Sequence, residues 1–170
     1  MCVSILFLEG NGQVYNVATG TFDSSKGKYR KTGVFAGETT FPNHLKVEGL
    51  VRSLCENLAK NIHQAETPED IYDVAFDLHF DLVSIHPFAD GNGRVSRLMM
   101  NYLLLYHGQV PAIIHKEDRK MYINALEESR KAESNGPIRE FLYQQQIKEF
   151  DRQIEKGQSG NQGQFLTFLA

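Results

Sequence analysis

His86-Pro87-Phe88-Ala89-Asp90-Gly91-Asn92-Gly93-Arg94-Val95-Ser96-Arg97 joins two helical patterns, and its content is unusual for such a connection. Gly91 and Gly93 bracket Asn92 where the second pattern begins. Glycines let successive backbone N–H groups turn inward as an anion nest. A helix start adds unpaired donors and partial positive charge. Arg94 and Arg97, three residues apart, share neighbouring surface over that same end. Asp90 stands inside this positive setting, where an acid serves best as a magnesium ligand, because magnesium is usually held by one or two carboxylates plus substrate phosphates. His86 closes the preceding helix, and an imidazole titrating near ~6.5 can take a proton from a hydroxyl at neutral pH. Singly, these residues have plain readings: a structural histidine, a turn, solvated arginines. Together they favour a polyphosphate cradle with a base at one edge.

The surrounding pattern is mainly helical. Upstream, Thr67-Pro68-Glu69-Asp70 is a helix start: threonine caps, proline suits the first turn and acids favour the positive end of the dipole. Ile71, Val74, Leu78, Leu82 and Ile85 then form an apolar stripe. Pro87 disfavours the α conformation in the residue before it, so this helix stops near His86. An earlier helix, from about residue 43, carries Leu50, Leu54, Leu58 and Ile62 on one face. Downstream, a helix is expected over about 93–106, with Leu98, Met99, Tyr102 and Leu105 apolar and Gly108 as its C-cap region. Two more are expected over 117–131 and 137–156. Residues 1–40 read as strands and turns, with β-prone runs at 4–8 and 14–17, and residues 29–41 read as a hairpin turning near Ala36-Gly37-Glu38. The stretch from Gly157 is a flexible, low-complexity tail. The organisation expected is an N-terminal strand and turn extension over 1–26, a main domain over 27–156 and a flexible tail over 157–170.

Bulk properties narrow the class. The chain has 170 residues, enough for one domain with its own core. A net charge of −3 gives no global attraction to nucleic acid or anionic membrane, so phosphate binding must be local. No run approaches a membrane-spanning length. The apolar start lacks a basic flank and a cleavage site, so no signal peptide is read. Cys2 and Cys55 are far apart and form neither a metal spacing nor a disulfide framework. A cytoplasmic setting is the expectation.

The segment from His86 to Arg97 resembles the signature of the Fic family, HPFxDGNGRxxR, at every specified position. The resemblance extends to Leu78-His79 and Val83-Ser84-Ile85 before the loop, to Leu98-Met99-Met100-Asn101 after it, and to Val110–Ile114 and Asp118–Tyr122. Upstream, Gly27-Lys28-Tyr29-Arg30 and the hairpin to Phe41 are similar to the family's flap. The resemblance implies a Fic fold, a mainly α bundle with a β-hairpin flap. It also implies a protein adenylyltransferase that moves AMP from ATP to a Ser, Thr or Tyr hydroxyl. His86 would be the base and Asp90 would hold Mg2+. Asn92 and the Gly91 and Gly93 amides would bind the α- and β-phosphates, with Arg94 and Arg97 on the triphosphate. Phe88 would anchor the loop. Val34, Phe35, Ala36, Gly37, Glu38 and Thr39 of the flap would pair with an extended target segment. Tyr122 stands equally as an adenine-pocket residue or an ordinary core aromatic.

Many relatives carry an inhibitory helix with the pattern [ST]xxxE[GN]. Glu9 is the candidate glutamate, but Ile5 occupies the position four before it, which favours a surface acid. Restraint by a separate protein and no restraint at all are the alternatives. Kinase-like members depart from Gly-Asn-Gly-Arg, and Gly93 is intact here. Removal of AMP, a non-catalytic interaction module and homodimerisation all stay open from the sequence.

Overall fold

The computed structural model describes residues 14–17, 20–23, 28–36 and 39–159. The β-prone run 4–8, Glu9, Gly37, Glu38 and the tail beyond Ser159 lie outside the described residues. Two short antiparallel pairs come first. β1 (Val14–Val17) pairs with β2 (Gly20–Asp23). β3 (Phe35–Ala36) pairs with β4 (Thr39–Thr40), placing Phe35 opposite Thr40 and Ala36 opposite Thr39. This second pair is the hairpin expected over 29–41. Among the described residues five α-helices follow: α1 (Val47–Gln64), α2 (Pro68–Ile85), α3 (Asn92–Tyr106), α4 (Arg119–Ala132) and α5 (Gly136–Ser159). Helix α5 runs through Gly157 rather than stopping at residue 156, because a glycine ends a helix by adopting positive φ and Gly157 does not.

The chain divides into two compact units, Met1–Val110 and Pro111–Ala170. The division falls inside the span 27–156 read from sequence as one domain. In the first unit, α2 packs against both α1 and α3. Its start is the expected one. The Thr67 hydroxyl accepts from the Asp70 backbone N–H (3.1 Å), and the Asp70 carboxylate accepts from the Thr67 N–H (2.9 Å), a complete capping box. Burial is broader than the sequence stripe. Tyr72, Ala75, Phe76, Leu78, His79, Phe80, Leu82, Val83 and Ile85 are all buried. A helix flanked on two sides hides more than one face, and its apolar positions then exceed a single stripe. Phe76, Leu82, Met100 and Leu104 are fully buried, each contributing about 1.5–3 kcal/mol of transfer free energy.

Helix α3 shows a division that periodicity left unsorted. Met99, Met100, Leu103 and Leu104 are buried, while Leu98, Tyr102 and Leu105 are exposed. The helix ends as expected at Gly108, which has φ +70°. Gly108 N–H donates to Leu105 O (3.0 Å) and Gln109 N–H to Leu104 O (2.8 Å), a Schellman closure.

In the second unit α4 and α5 pack together, with Tyr122 and Phe141 rings 5.9 Å apart. Helix α4 closes the same way as α3, but on Glu133 at φ 49° rather than on a glycine. Glu133 N–H donates to Arg130 O and Ser134 N–H to Ser129 O.

Candidate active site

Helix α2 delivers His86. Its backbone is left-handed (φ 53°, ψ 58°), and its N–H donates to Leu82 O at 3.1 Å, closing the last turn. Left-handed backbone is uncommon outside glycine, and a residue held there marks a place where the surroundings over-determine the conformation. Here the turn bends the chain sharply away from the helix. Pro87 follows, fully buried, and Phe88, also buried, lies 5.9 Å from the Tyr29 ring. The loop is thus pinned to the core one residue past the imidazole, and Phe88 anchors it.

The His86 side chain is half-buried. Its Nδ1 lies 3.1 Å from Val83 O. A carbonyl oxygen only accepts, so Nδ1 carries the proton and Nε2 is the basic nitrogen of the neutral ring. The Phe41 ring stacks on the imidazole at 3.9 Å and 25°. Phe41 follows directly on β4, so the hairpin reaches the imidazole through this stack.

Asn92 is almost fully buried, and its side chain is committed to the loop. Its Oδ1 accepts from Phe88 N–H (2.8 Å) and its Nδ2 donates to Phe88 O (2.9 Å). The side chain therefore shapes residues 88–92. A carboxamide carries both N–H donors and an acceptor, so one side chain satisfies the N–H and the carbonyl of the same backbone residue. The first intrahelical donor in α3 is Val95 N–H, to Gly91 O (3.0 Å). The N–H groups of Asn92, Gly93 and Arg94 consequently have no intrahelical acceptor, which leaves a donor-rich helix start.

The two glycines serve different ends. Gly91 has φ +79° and N-caps α3. A Cβ on Gly91 would lie 3.4 Å from Arg94 Nη2, and one on Gly93 would lie 3.3 Å from Arg97 Nη1. Both guanidinium groups therefore fold back over the glycine turn, bringing positive charge to the amides. Arg94 is exposed and pairs with Asp90 at 3.3 Å. Arg97 is half-buried. Asp90 is exposed, and among the described residues no cluster of three or more His, Cys, Asp or Glu side chains could hold a metal by itself. A lone exposed carboxylate still fits magnesium when phosphate oxygens and water complete the shell.

Behind the loop lies His79, which is fully buried. Burial pushes its pKa down to about 4, a hydrogen bond to the Ser96 backbone pulling the other way and the Arg97 charge adding to the drop. Its neutral ring ties α2 to the first turns of α3. Of the flap residues, Phe35 is exposed (73%) and Val34 half-buried. Tyr122 is buried in the core of the second unit.

A model of the Fic/DOC family matches residues 7–104, more than half of the chain and all within the first unit. The chain belongs to the Fic/DOC family. It is 35% identical over 118 residues to the protein adenylyltransferase Fic of Nematostella vectensis, covering 68% of this chain and 26% of that one. The chain thus spans about a quarter of the relative's length. Fic-1 from C. elegans superposes with a TM-score of 0.66 at 25% identity, covering 80% of this chain and 39% of the other. BepC from Bartonella tribocorum, solved with AMPPNP, has a TM-score of 0.61 at 17% identity, covering 82% and 70%.

One residue of this Fic site has no role assigned by the sequence. Arg30, only 2% exposed, sends its backbone N–H to Pro87 O (2.9 Å) and its Nε to His86 O (2.7 Å). Its Nη1 donates to Thr32 O (2.7 Å), and its Nη2 donates to Pro42 O and, at 3.5 Å, to Ile85 O. Spacing could not reveal this, since the partners on α2 lie 55 and 56 positions away. The fixed ring of His86 and the donor-rich start of α3 both bear on chemistry at the loop.

Proposed function

We propose that this chain transfers AMP from ATP to a serine, threonine or tyrosine hydroxyl of a target protein. The observation that carries the reading is the His86 ring, whose Nδ1–H is engaged by Val83 O so that Nε2 is the base. The hydroxyl oxygen attacks the α-phosphorus and its proton passes to Nε2. The bond from the α-phosphorus to the bridging oxygen breaks, and pyrophosphate leaves. The amides of Asn92, Gly93 and Arg94, with the guanidinium groups of Arg94 and Arg97, hold the phosphates and offset the charge that develops on them. Asp90 would hold Mg2+, which when bound supplies further charge neutralisation at the phosphate oxygens. The catalytic task is mostly positioning and electrostatics, which suits a rigid loop between two packed helices.

The flap, Val34 to Thr39, would receive an extended target segment by strand addition, backbone to backbone. Restraint would fall to Glu9 or to a separate inhibitory protein, and a faster self-modification in Glu9→Gly would assign it to Glu9. No helix among the described residues is long and apolar enough to cross a membrane. Cys55 is in no disulfide, and this cysteine usage supports work in the cytoplasm.

The test is a lysate incubated with ATP labelled at the α or at the γ phosphate. Label from the α position on protein, lost in His86→Ala with ATP binding retained, is the expected result. Transfer from γ alone would make the chain a phosphotransferase. No transfer from either would leave it an interaction module.

A further inference from the structure

Helix α2 ends without a basic residue in its last turn. Its terminal carbonyls carry the negative end of the helix dipole and lack intrahelical donors. The compensation comes from far away. Arg30 reaches the carbonyls of Ile85 and His86 through its side chain and that of Pro87 through its backbone N–H. The other edge of the same guanidinium holds Thr32 and Pro42, which flank the β3–β4 hairpin on either side. Among the described residues its partners are all backbone carbonyls. A buried cation satisfied in this way is a fastener: a planar fork of five donors reaches several acceptors at fixed angles. Burial draws its pKa below the usual value, yet a guanidinium stays protonated.

The two things fastened are the two things an adenylyl transfer must hold in register. One is the imidazole, which sits on a left-handed residue whose conformation needs outside support. The other is the strand pair offered to a target. Pro42 also follows Phe41, whose ring covers the imidazole at 3.9 Å. The geometry points to Arg30 as a positioning residue that locks the flap to the His86 turn. A target strand paired on the flap then delivers its hydroxyl to Nε2. This rests on the adenylyl-transfer reading for its catalytic consequence, but the lock itself is a statement about His86 and the flap that needs no turnover to test.

Arg30→Lys keeps the charge and loses the fork. Three measurements on the full chain follow. Nitrogen-15 NMR of the His86 ring, assigned by its absence in His86→Ala, is expected to show the Nδ1–H tautomer in the parent and a shift toward the Nε2–H form in the variant. Amide exchange in residues 32–36 and 39–41 is expected to speed up ~10-fold or more while α1 amides stay as they were. Transfer of α label is expected to fall ~10-fold or more with ATP affinity within ~2-fold of the parent. An unchanged tautomer and unchanged flap exchange overturn the lock, even if the variant melts earlier, because a merely structural arginine would lower stability alone. If the parent moves no label, the adenylyl-transfer reading fails, and the lock is judged on the ring and the flap. If Arg30→Lys does not fold, the parent decides. Resolved, exchange-protected Arg30 Nε–H and Nη–H resonances support the lock, and a single averaged, fast-exchanging set overturns it.

Discussion

His86 occupies backbone that favours glycine, and the cost is set against the need for an imidazole at that turn. An L-residue in the left-handed region is disfavoured by roughly 1–2 kcal/mol. His86→Gly and His86→Ala remove the same ring, so comparing them isolates the backbone. His86→Gly is expected to be the more stable of the two by about 1 kcal/mol in thermal unfolding, with neither variant transferring AMP. Equal stabilities would mean the turn carries no strain. Asn92 makes the opposite point. Its side chain exchanges two hydrogen bonds with Phe88 inside the protein, so Asn92→Ala is expected to cost about 2–3 kcal/mol in a urea titration. A loss confined to ATP affinity, with stability unchanged, would instead return the side chain to the phosphates. Sequence placed Asn92 between two glycines at a nest and hence on the ligand. It could not show which backbone groups close the loop from within.

Among elements, α2 was the most legible and for a local reason. Threonine, proline and two acids at one end, and an X-Pro step at the other, act on their own neighbours, so the boundaries Pro68–Ile85 follow from adjacent residues. Thr67→Ala removes the hydroxyl of the capping box and is expected to lower stability by about 1 kcal/mol, read as a drop in the unfolding midpoint. Because the cap lies at the far end from His86, transfer rates at a temperature where the variant is folded should match the parent. What α2 buries was less legible. One apolar stripe was readable, but the second face, including His79 and Phe80, depends on α1 and α3 both packing against it. The flap hairpin was legible in place. Its attachment to α2 through Arg30 was not, since a pattern along the chain does not report hydrogen bonds spanning more than fifty positions. The outward-facing Leu98, Tyr102 and Leu105 of α3 were likewise beyond periodicity, which finds apolar residues without saying which of two apolar faces turns inward.

For the whole molecule, acid sensitivity follows from buried groups that must gain a proton on unfolding. His79 has a folded pKa of about 4 against ~6.5 when unfolded, so between these values the unfolded chain binds more protons. Stability therefore falls as pH drops from about 6.5 toward 4, and the loss amounts to about 3 kcal/mol once both states are protonated. Two carboxylates act lower. Asp70, through its hydrogen bonds to Thr67, and Asp118, through Lys148 and Gln145, are held below the ordinary carboxylate pKa. Their contribution is present above that value and is lost as pH falls through the lowered ones. The expected urea midpoint declines in two stages, and His79→Gln should flatten the first while leaving the second. A single decline below pH 4 in the parent would show that His79 is not buried neutral. The family itself was readable from twelve contiguous residues, because its signature is concentrated in one loop. The split at Val110 was not, since no change of composition marks it.

The second helix to close on a left-handed residue other than glycine offers something practical. Glu133 holds the end of α4 with the same backbone twist as His86 but brings no imidazole and no phosphate donor to it. Glu133→Gly should raise the thermal midpoint, worth about 0.5–1 kcal/mol, while leaving residues 86–97 as they are. Anyone needing a hardier preparation for trapping a nucleotide or a target peptide has, in that one codon, a place to begin.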